Sequence, residues 1–299
     1  MDNSGNAYNL SHIKKGLKKQ QRHLLLKKIL SNRLLVIGTT ILIFLILFTF
    51  FAPLLTSFTP YEMDVSMRLQ KPSIVNLLGT DNFGRDIFSR IAHGAKVSMG
   101  VGFSVMLLST ILGTFLGLYA SYYRVLDNII MRICDGLMSI PAILLAIALM
   151  SAFGGNITNV IIALTIVFTP YIARVVRSSA LSVREQTFIE AIKSQGANNF
   201  QIIWKHIMPN TISPVIIQAS FIFADAIIVE AALSFLGAGI PDPAPSWGNI
   251  VSDSKSTMTT AWWMTVAPSI MIILSVLGLN LFGDGLRDLL DPHDTNRKK

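Results

Sequence analysis

The sequence predicts an all-α, polytopic membrane protein with six transmembrane helices. Of its 299 residues, 52% are hydrophobic and only 14% are charged. The apolar residues fall in blocks of about 20, which is the length that an α-helix needs to cross a bilayer. One block, 34–60, contains no Asp, Glu, Lys or Arg. Blocks of this kind are typical of membrane spans rather than of a soluble core.

The first apolar block is predicted to be a permanent span. A basic stretch precedes it, which is also the layout of a secretory signal peptide. The block is longer than the about 7 to 15 apolar residues of a signal core. Ala52-Pro53 also lies among bulky residues, with no small-x-small cleavage pattern. We therefore expect this segment to stay in the protein.

Five further apolar segments follow the first. The predicted spans are 34–56, 97–123, 133–153, 157–173, 211–236 and 262–283. Pro141 interrupts the third span, and the fourth is short. The predicted organisation is a basic tail (1–33), a first span with an external loop (34–96), a transmembrane domain (97–285) containing a cytoplasmic loop (174–210), and a second tail (286–299).

The basic residues outside the spans predict the orientation. Nineteen Lys and Arg fall on the side of the two termini and six on the other side. The positive-inside rule then places both termini in the cytoplasm. The net charge of +8 thus follows the membrane and does not indicate a nucleic-acid partner. The basic tail serves either as the orientation signal or as a contact for anionic membrane lipid.

Motifs for bond chemistry are absent from the sequence. Cys134 is the only cysteine, which excludes an intrachain disulfide and a cysteine-based zinc site. No stretch matches the phosphate-binding Gly-x-x-x-x-Gly-Lys-Ser/Thr or the zinc-binding HExxH pattern. We therefore expect no catalytic residue, no metal and no cofactor in this chain.

The longest cytoplasmic connection predicts two short helices joined by a hinge. Thr187 and Glu190 have the spacing of a capping box, and Gly196 suits the left-handed conformation that stops a helix. Asn198 or Asn199 is placed to cap a second helix, 200–207, which Pro209 would end. Alternatively, the first helix is the end of a longer one that starts near residue 174, and Thr187 then caps nothing.

The second predicted helix carries an apolar stripe. Its members are Phe200, Ile203, Trp204 and Ile207. Their spacing of i, i+3, i+4 and i+7 puts them on one face of the helix. Two interpretations fit this spacing equally well: the stripe docks on a partner, or it packs on the ends of the chain's own spans.

This loop resembles the EAA loop of ABC importer permeases, which reads Glu-Ala-Ala, then Gly, then a hydrophobic-Pro ending. The matching residues are Glu190, Ala191, Gly196, His206, Ile207 and Pro209. Ile192 stands in place of the second alanine and Met208 in place of the usual leucine. Neither change is expected to remove the role of the loop, which in that family inserts into a groove on the ATPase.

Longer motifs resemble the C-type permease of dipeptide, oligopeptide and nickel importers. They read LGTDNFGRD at 78–86, LSFLG at 233–237, PSWG at 245–248 and NLFGDGLRD at 280–288. The resemblance implies a type I ABC importer permease fold in the bacterial inner membrane. It also implies a second homologous permease, two ATPase subunits that bind ATP and Mg, and an external solute-binding protein.

The resemblance further implies short peptides as the cargo, with nickel or another metal chelate, glutathione or haem as alternatives. A rival from another class is an ion-coupled secondary transporter, which usually shows internal repeats. No repeat relates the two halves of this sequence.

Polar residues in the fifth span are candidates for the translocation path or for the interface with a second permease. Gln218 and Asp225 share a helix face, whereas Glu230 points away from Gln218. The Gly- and Pro-rich segment that includes Pro241 and ends at Trp247 is a candidate external gate or a docking edge for a substrate-binding protein. Its alternative is a rigid connector with Trp247 anchored at the membrane interface.

Overall fold

The computed structural model describes residues 27–290. Most of the predicted basic tail and residues 291–299 lie outside this range. Within it, the chain forms nine helices of seven or more residues, two shorter helical segments (27–31 and Val65–Met67) and connecting loops, with one isolated β-bridge between Thr80 and Asp86. The helices are α1 (Arg33–Leu55), α2 (Ile87–Tyr122), α3 (Arg124–Met138), α4 (Ala142–Phe153), α5 (Ile157–Arg184), α6 (Thr187–Ser194), α7 (Asn199–Phe235), α8 (Trp247–Asp253) and α9 (Trp263–Leu290).

Five of these helices are long and apolar enough to cross a membrane, namely α1, α2, α5, α7 and α9. The predicted third span is not one helix, because α3 and α4 meet at an angle of 94°. Pro141 lies at the bend, where it lacks an N–H and disfavours a helical residue before it. The six-span prediction holds when α3 and α4 are counted as one broken span.

Two helices extend about ten residues beyond the predicted spans. The second helix begins at Ile87 rather than at residue 97, because Asp86 caps it by accepting a hydrogen bond of 2.7 Å from the Ser89 N–H. The fourth span continues to Arg184 rather than ending at residue 173. In both cases charged residues ended the apolar run but not the helix.

The core is built around close packing of α2 against α5. A side-chain carbon added at Gly113 would lie 2.5 Å from Ile172 Cβ, and one added at Gly117 would lie 2.5 Å from the Ala173 carbonyl oxygen. Ser109 and Ser121, on the same stripe of α2, are also buried. This small-residue stripe therefore lets two helix backbones approach, as is common in membranes.

Candidate functional site

The first helix of the predicted cytoplasmic loop, α6, follows α5 after a break of only two residues. Gln186 occupies the cap position of α6 and makes no side-chain cap hydrogen bond. Thr187 is already helical, so the predicted capping box was wrong. Glu190 lies in the first turn of α6 and is exposed. A carboxylate in this position is favoured by the positive end of the helix dipole.

Gly196 ends α6 in the left-handed conformation that the sequence predicts, with a φ of +86°. Its N–H donates to the Lys193 carbonyl at 3.0 Å, and the Ala197 N–H donates to the Ile192 carbonyl at 3.3 Å. This pair of bonds is a Schellman motif. No atom lies within 4 Å of the position that a side-chain carbon would take, so the backbone angle alone favours glycine here.

Asn198 caps the second helix, accepting a hydrogen bond of 2.8 Å from the Gln201 N–H. The prediction that Pro209 ends this helix was wrong, because the helix continues without a break into the fifth span as α7. A π-helical turn, Ile202–Ile207, precedes the proline, and the Met208 N–H donates to the Ile203 carbonyl. The wider turn changes the hydrogen-bond register just before the residue that lacks an N–H.

The apolar stripe of the second helix faces mainly inward. Ile203 and Ile207 are fully buried against the chain's own spans. The ring of the partly buried Trp204 packs on Phe115 of α2, with 4.8 Å between ring centroids. Only Phe200 is open, with 65% of its surface exposed. Packing on the chain's own spans therefore accounts for three of the four stripe residues.

The outer surface of the loop combines charge with exposed aromatic rings. Phe188 and Phe200 are exposed, and Glu190 and Ala191 lie on the same loop with their side chains in the open. His206 is half-buried, and Pro209 is exposed. Exposed apolar side chains on a charged surface are typical of a protein interaction site.

Three arginines connect α5, which leads into the loop, to α2 and α3. Arg184 donates to the Ser121 carbonyl at 2.5 Å, where α2 leaves its last carbonyls without helical partners. Arg177 forms a two-bonded ion pair with Asp127 of α3, and Arg174 pairs with Asp135 at 2.6 Å. These pairs were not predictable from the sequence, because their partners are 39 to 63 residues apart and share no local pattern.

The polar residues of the fifth span separate into two groups in the structure. Gln218 is half-buried, Asp225 is exposed, and neither makes a side-chain hydrogen bond within residues 27–290. Glu230 is fully buried. Its carboxyl group accepts hydrogen bonds from Ser98 at 3.0 Å and Ser234 at 2.9 Å. The structure therefore places Glu230 inside the chain, away from the open face that carries Asp225.

Trp247 also lies in the interior. Its side chain is 0% exposed, and its indole N–H donates to the Ile91 carbonyl at 3.2 Å. Its backbone N–H donates to Ser98, the same serine that binds Glu230. This burial contradicts an anchor at the membrane interface, whereas the external gate stays a prediction. Pro241, by contrast, is exposed.

A buried ionic cluster joins the loop between α1 and α2, which is predicted to be external, to α8. Arg85 and Arg90 are almost fully buried and bind Asp253 at 2.9 and 3.3 Å. Arg85 also binds Asp81 at 2.5 Å, whereas the half-exposed Asp242 lies at 3.8 to 3.9 Å from both guanidinium groups. Burial and the Asp242 carboxylate raise the pKa of Asp253.

Metal-binding geometry is missing from the part of the chain that the structure describes. No group of three or more His, Cys, Asp or Glu side chains between residues 27 and 290 fits a metal ion.

Two family models match the sequence. Residues 109–293 match the binding-protein-dependent transport system inner membrane component. Residues 21–72 match the N-terminal transmembrane domain of oligopeptide transport permease C. The two matches together include α1 and the helices from the middle of α2 to α9.

Individual proteins of known name are similar over most of the chain. A putative peptide transport system permease of Brucella abortus is 45% identical over 89% of this chain and 90% of its own. The dipeptide transport system permease of Alkalihalophilus pseudofirmus is 47% identical over 89% and 88%. An inward-facing structure of the MetNI methionine ABC transporter matches with a TM-score of 0.54 and 20% identity, covering 68% of this chain and 97% of that one.

The likeness to the MetNI structure shows a shared fold of the permease. The family model covers more than half of the chain, and the two relatives exceed 40% identity over nearly all of it. The chain therefore belongs to the family of binding-protein-dependent transport system inner membrane components.

Proposed function

We propose that this chain is one of two permease subunits of an ABC importer for short peptides, and that residues 187–209 dock on an ATPase subunit. The observation that carries the proposal is the two-sided construction of this loop. Its inner side, with Ile189, Ile203 and Ile207, is buried against the spans. Its outer side offers Phe188 and Phe200, with Glu190 also exposed. The exposed set is free for a partner.

The connections of the loop explain how movement of an ATPase would reach the membrane. Only two residues separate α6 from α5, and the second loop helix is the first part of α7, which continues into the fifth span. Arg184 holds the end of α5 against the end of α2. A displacement of the loop would therefore move α5 and α7 as rigid bodies. ATP and Mg would be bound by the ATPase subunits.

The open face of α7 is the proposed wall of the translocation path, or the contact with the second permease. Gln218 and Asp225 lie on this face, and the Asp225 carboxyl group makes no side-chain hydrogen bond within residues 27–290. An ionisable residue at membrane depth is costly and usually marks a pathway or a protein interface. Glu230 is left out of this proposal because it is fully buried within the chain.

On the opposite membrane side, we propose a contact with a solute-binding protein. The exposed Pro241 belongs to the loop that precedes α8, and this loop also carries Asp242. The buried ionic cluster stabilises the position of this loop, because it binds Asp253 of α8. Short peptides are the proposed cargo, because relatives similar over most of the chain are named as peptide and dipeptide permeases.

The test is uptake by proteoliposomes that contain this chain with its partner permease, ATPases and binding protein. We expect accumulation of labelled dipeptides or oligopeptides only when ATP is inside the vesicle on the ATPase side and binding protein is present. Vesicles with an ATPase that cannot hydrolyse ATP are the matched control. Uptake driven by an ion gradient without nucleotide would refute the proposal, and uptake of glutathione or a nickel chelate alone would refute the peptide cargo.

A further inference from the structure

A crevice of about 780 Å³ opens on the side of the protein between α1, α2, α7 and α9. This volume is that of an ordinary ligand pocket. Phe50 and Phe103, at its edge, are 64% and 51% exposed, so the crevice is open along one side. Apart from Thr49, Ser220 and Lys96, its lining consists of apolar side chains and one glycine.

The crevice offers almost nothing to a polar ligand. The Thr49 hydroxyl donates to the Leu45 carbonyl at 2.8 Å, and the Ser220 hydroxyl donates to the Ile217 carbonyl at 2.7 Å. Both hydroxyl hydrogens are therefore used within their own helices. Lys96 is the single charged residue of the lining, is exposed, and joins none of the ion pairs between residues 27 and 290.

The length of α2 places Lys96 near the edge of the membrane. Its 36 residues extend about 54 Å, against about 30 Å of hydrocarbon. Tyr119, Tyr122 and Arg124 mark the other edge, where aromatic and basic residues collect. About 20 residues of helix span the hydrocarbon, so the opposite edge falls near Met99, one turn from Lys96. From Lys96 the crevice runs inward along α2 to Met106, about 15 Å away.

The crevice faces away from the proposed translocation path. Phe223 lines it, and Asp225 is two residues further along the same helix, about 200° around its axis. Gln218 shares the Asp225 face. If that face is the path or the contact with the second permease, as proposed above, the crevice looks out to the lipid.

We propose that this crevice binds an anionic phospholipid, with an acyl chain between α1, α2, α7 and α9 and its phosphate on Lys96. A dry, apolar slot with one ammonium group at its membrane-edge end matches the chemistry of such a lipid. Lysine at this depth extends its charged end toward the headgroups. The inference rests on the proposed function only for the direction in which the crevice faces.

The test is native mass spectrometry of the assembled transporter after titration with phosphatidylglycerol or phosphatidylcholine. We expect the wild-type complex to retain phosphatidylglycerol preferentially. Lys96→Gln should reduce that preference about fivefold, the effect of one lysine near an anionic surface. Gly100→Leu should reduce retention of both lipids, because Gly100 lines the crevice and its added side chain would enter open space.

Gly136→Leu is the matched control, since Gly136 of α3 also has no atom within 4 Å of its added side chain and lies outside the crevice. It should leave lipid retention unchanged. An undiminished phosphatidylglycerol preference in Lys96→Gln would overturn the proposal. Failure of Gly100→Leu to assemble with the second permease would also overturn it, because a protein would then cover the crevice. Peptide uptake is measured separately, so loss of lipid retention with normal uptake leaves the proposed function intact.

Discussion

The two ends of the protein use polar and aromatic residues in opposite ways. At the end predicted to be external, called the external side below, four polar or aromatic side chains are almost completely buried and bind residues of neighbouring helices, namely Arg85, Arg90, Glu230 and Trp247. In the cytoplasmic loop, Phe188, Glu190 and Phe200 are exposed. Internal contacts therefore fix the geometry of the predicted external side, whereas the loop has exposed aromatic and charged side chains that the proposed docking would use.

This difference predicts two kinds of variant. Changes on the external side should lower the stability of the isolated chain, because they remove packing or leave buried polar groups without partners. Changes on the outer side of the loop should leave stability nearly unchanged and reduce coupling. The predictions that follow run from the largest effect expected to the smallest.

The largest effect is expected for Trp247→Ala. Removing a fully buried tryptophan should lower the free energy of unfolding by about 3 to 5 kcal/mol, through lost burial and the cavity left behind. Thermal unfolding of the purified chain in detergent measures it. Trp262→Ala is the matched control, because the Trp262 side chain is 57% exposed. An equal loss of unfolding free energy in both variants would show that burial of Trp247 does not stabilise the external side.

Glu230→Ala should cost about 1 to 3 kcal/mol, because the hydroxyl groups of Ser98 and Ser234 lose their acceptor in a buried site. Glu230→Gln keeps the shape and one acceptor oxygen, so it should cost less. The same unfolding assay separates the two variants. A Glu230→Gln protein with wild-type stability but altered cargo preference would instead return Glu230 to the translocation path.

The cytoplasmic loop was predictable from the sequence in its local features. Gly196 takes a positive φ and Asn198 caps a helix because each effect depends on neighbours within three or four residues. The end at Pro209 was not predictable in the same way. A π-helical turn accommodates the proline and lets the helix continue. No sequence pattern predicts that turn.

The external side was predicted poorly, since its contacts are distant in sequence. Trp247 in a Gly- and Pro-rich segment suggested a surface position. However, its indole binds Ile91, 156 residues away. Gly248 lets α8 pack closely on α7, since an added side-chain carbon would lie 2.6 Å from the Ala231 carbonyl oxygen. Helical periodicity gave the direction of Glu230 on α7, but not the serines that surround it.

Gly196→Val tests the hinge of the loop. Valine in the left-handed conformation should cost about 1 to 2 kcal/mol locally and misplace α6 relative to α7. We expect peptide uptake to be lost while the spans remain folded. Gly196→Asn is the control, because asparagine tolerates a positive φ, and it should retain uptake. Normal uptake by the valine variant would show that the loop does not need this hinge.

Phe200→Ala tests the exposed side of the loop. Its ring is 65% exposed, so the free energy of unfolding should change by no more than about 0.5 kcal/mol. A docking aromatic typically contributes about 1 to 2 kcal/mol to binding, so affinity for the ATPase should fall about tenfold. Phe83→Ala, on the external side and 48% exposed, should leave that affinity unchanged. Co-purification with a titrated ATPase measures the difference, and equal affinity in both variants would remove Phe200 from the interface.

The smallest effect on stability is expected for Asp225→Asn. The Asp225 carboxyl group makes no side-chain hydrogen bond within the described part of the chain, so its replacement breaks no internal contact. We expect unchanged unfolding of the isolated chain, together with altered cargo preference or weaker assembly with the second permease. Asp225 would then be an exposed residue that contacts a partner or a cargo, like the proposed docking residues of the loop, but located within the membrane. Unchanged assembly and unchanged uptake of every tested peptide would mean that the open face of α7 serves neither purpose.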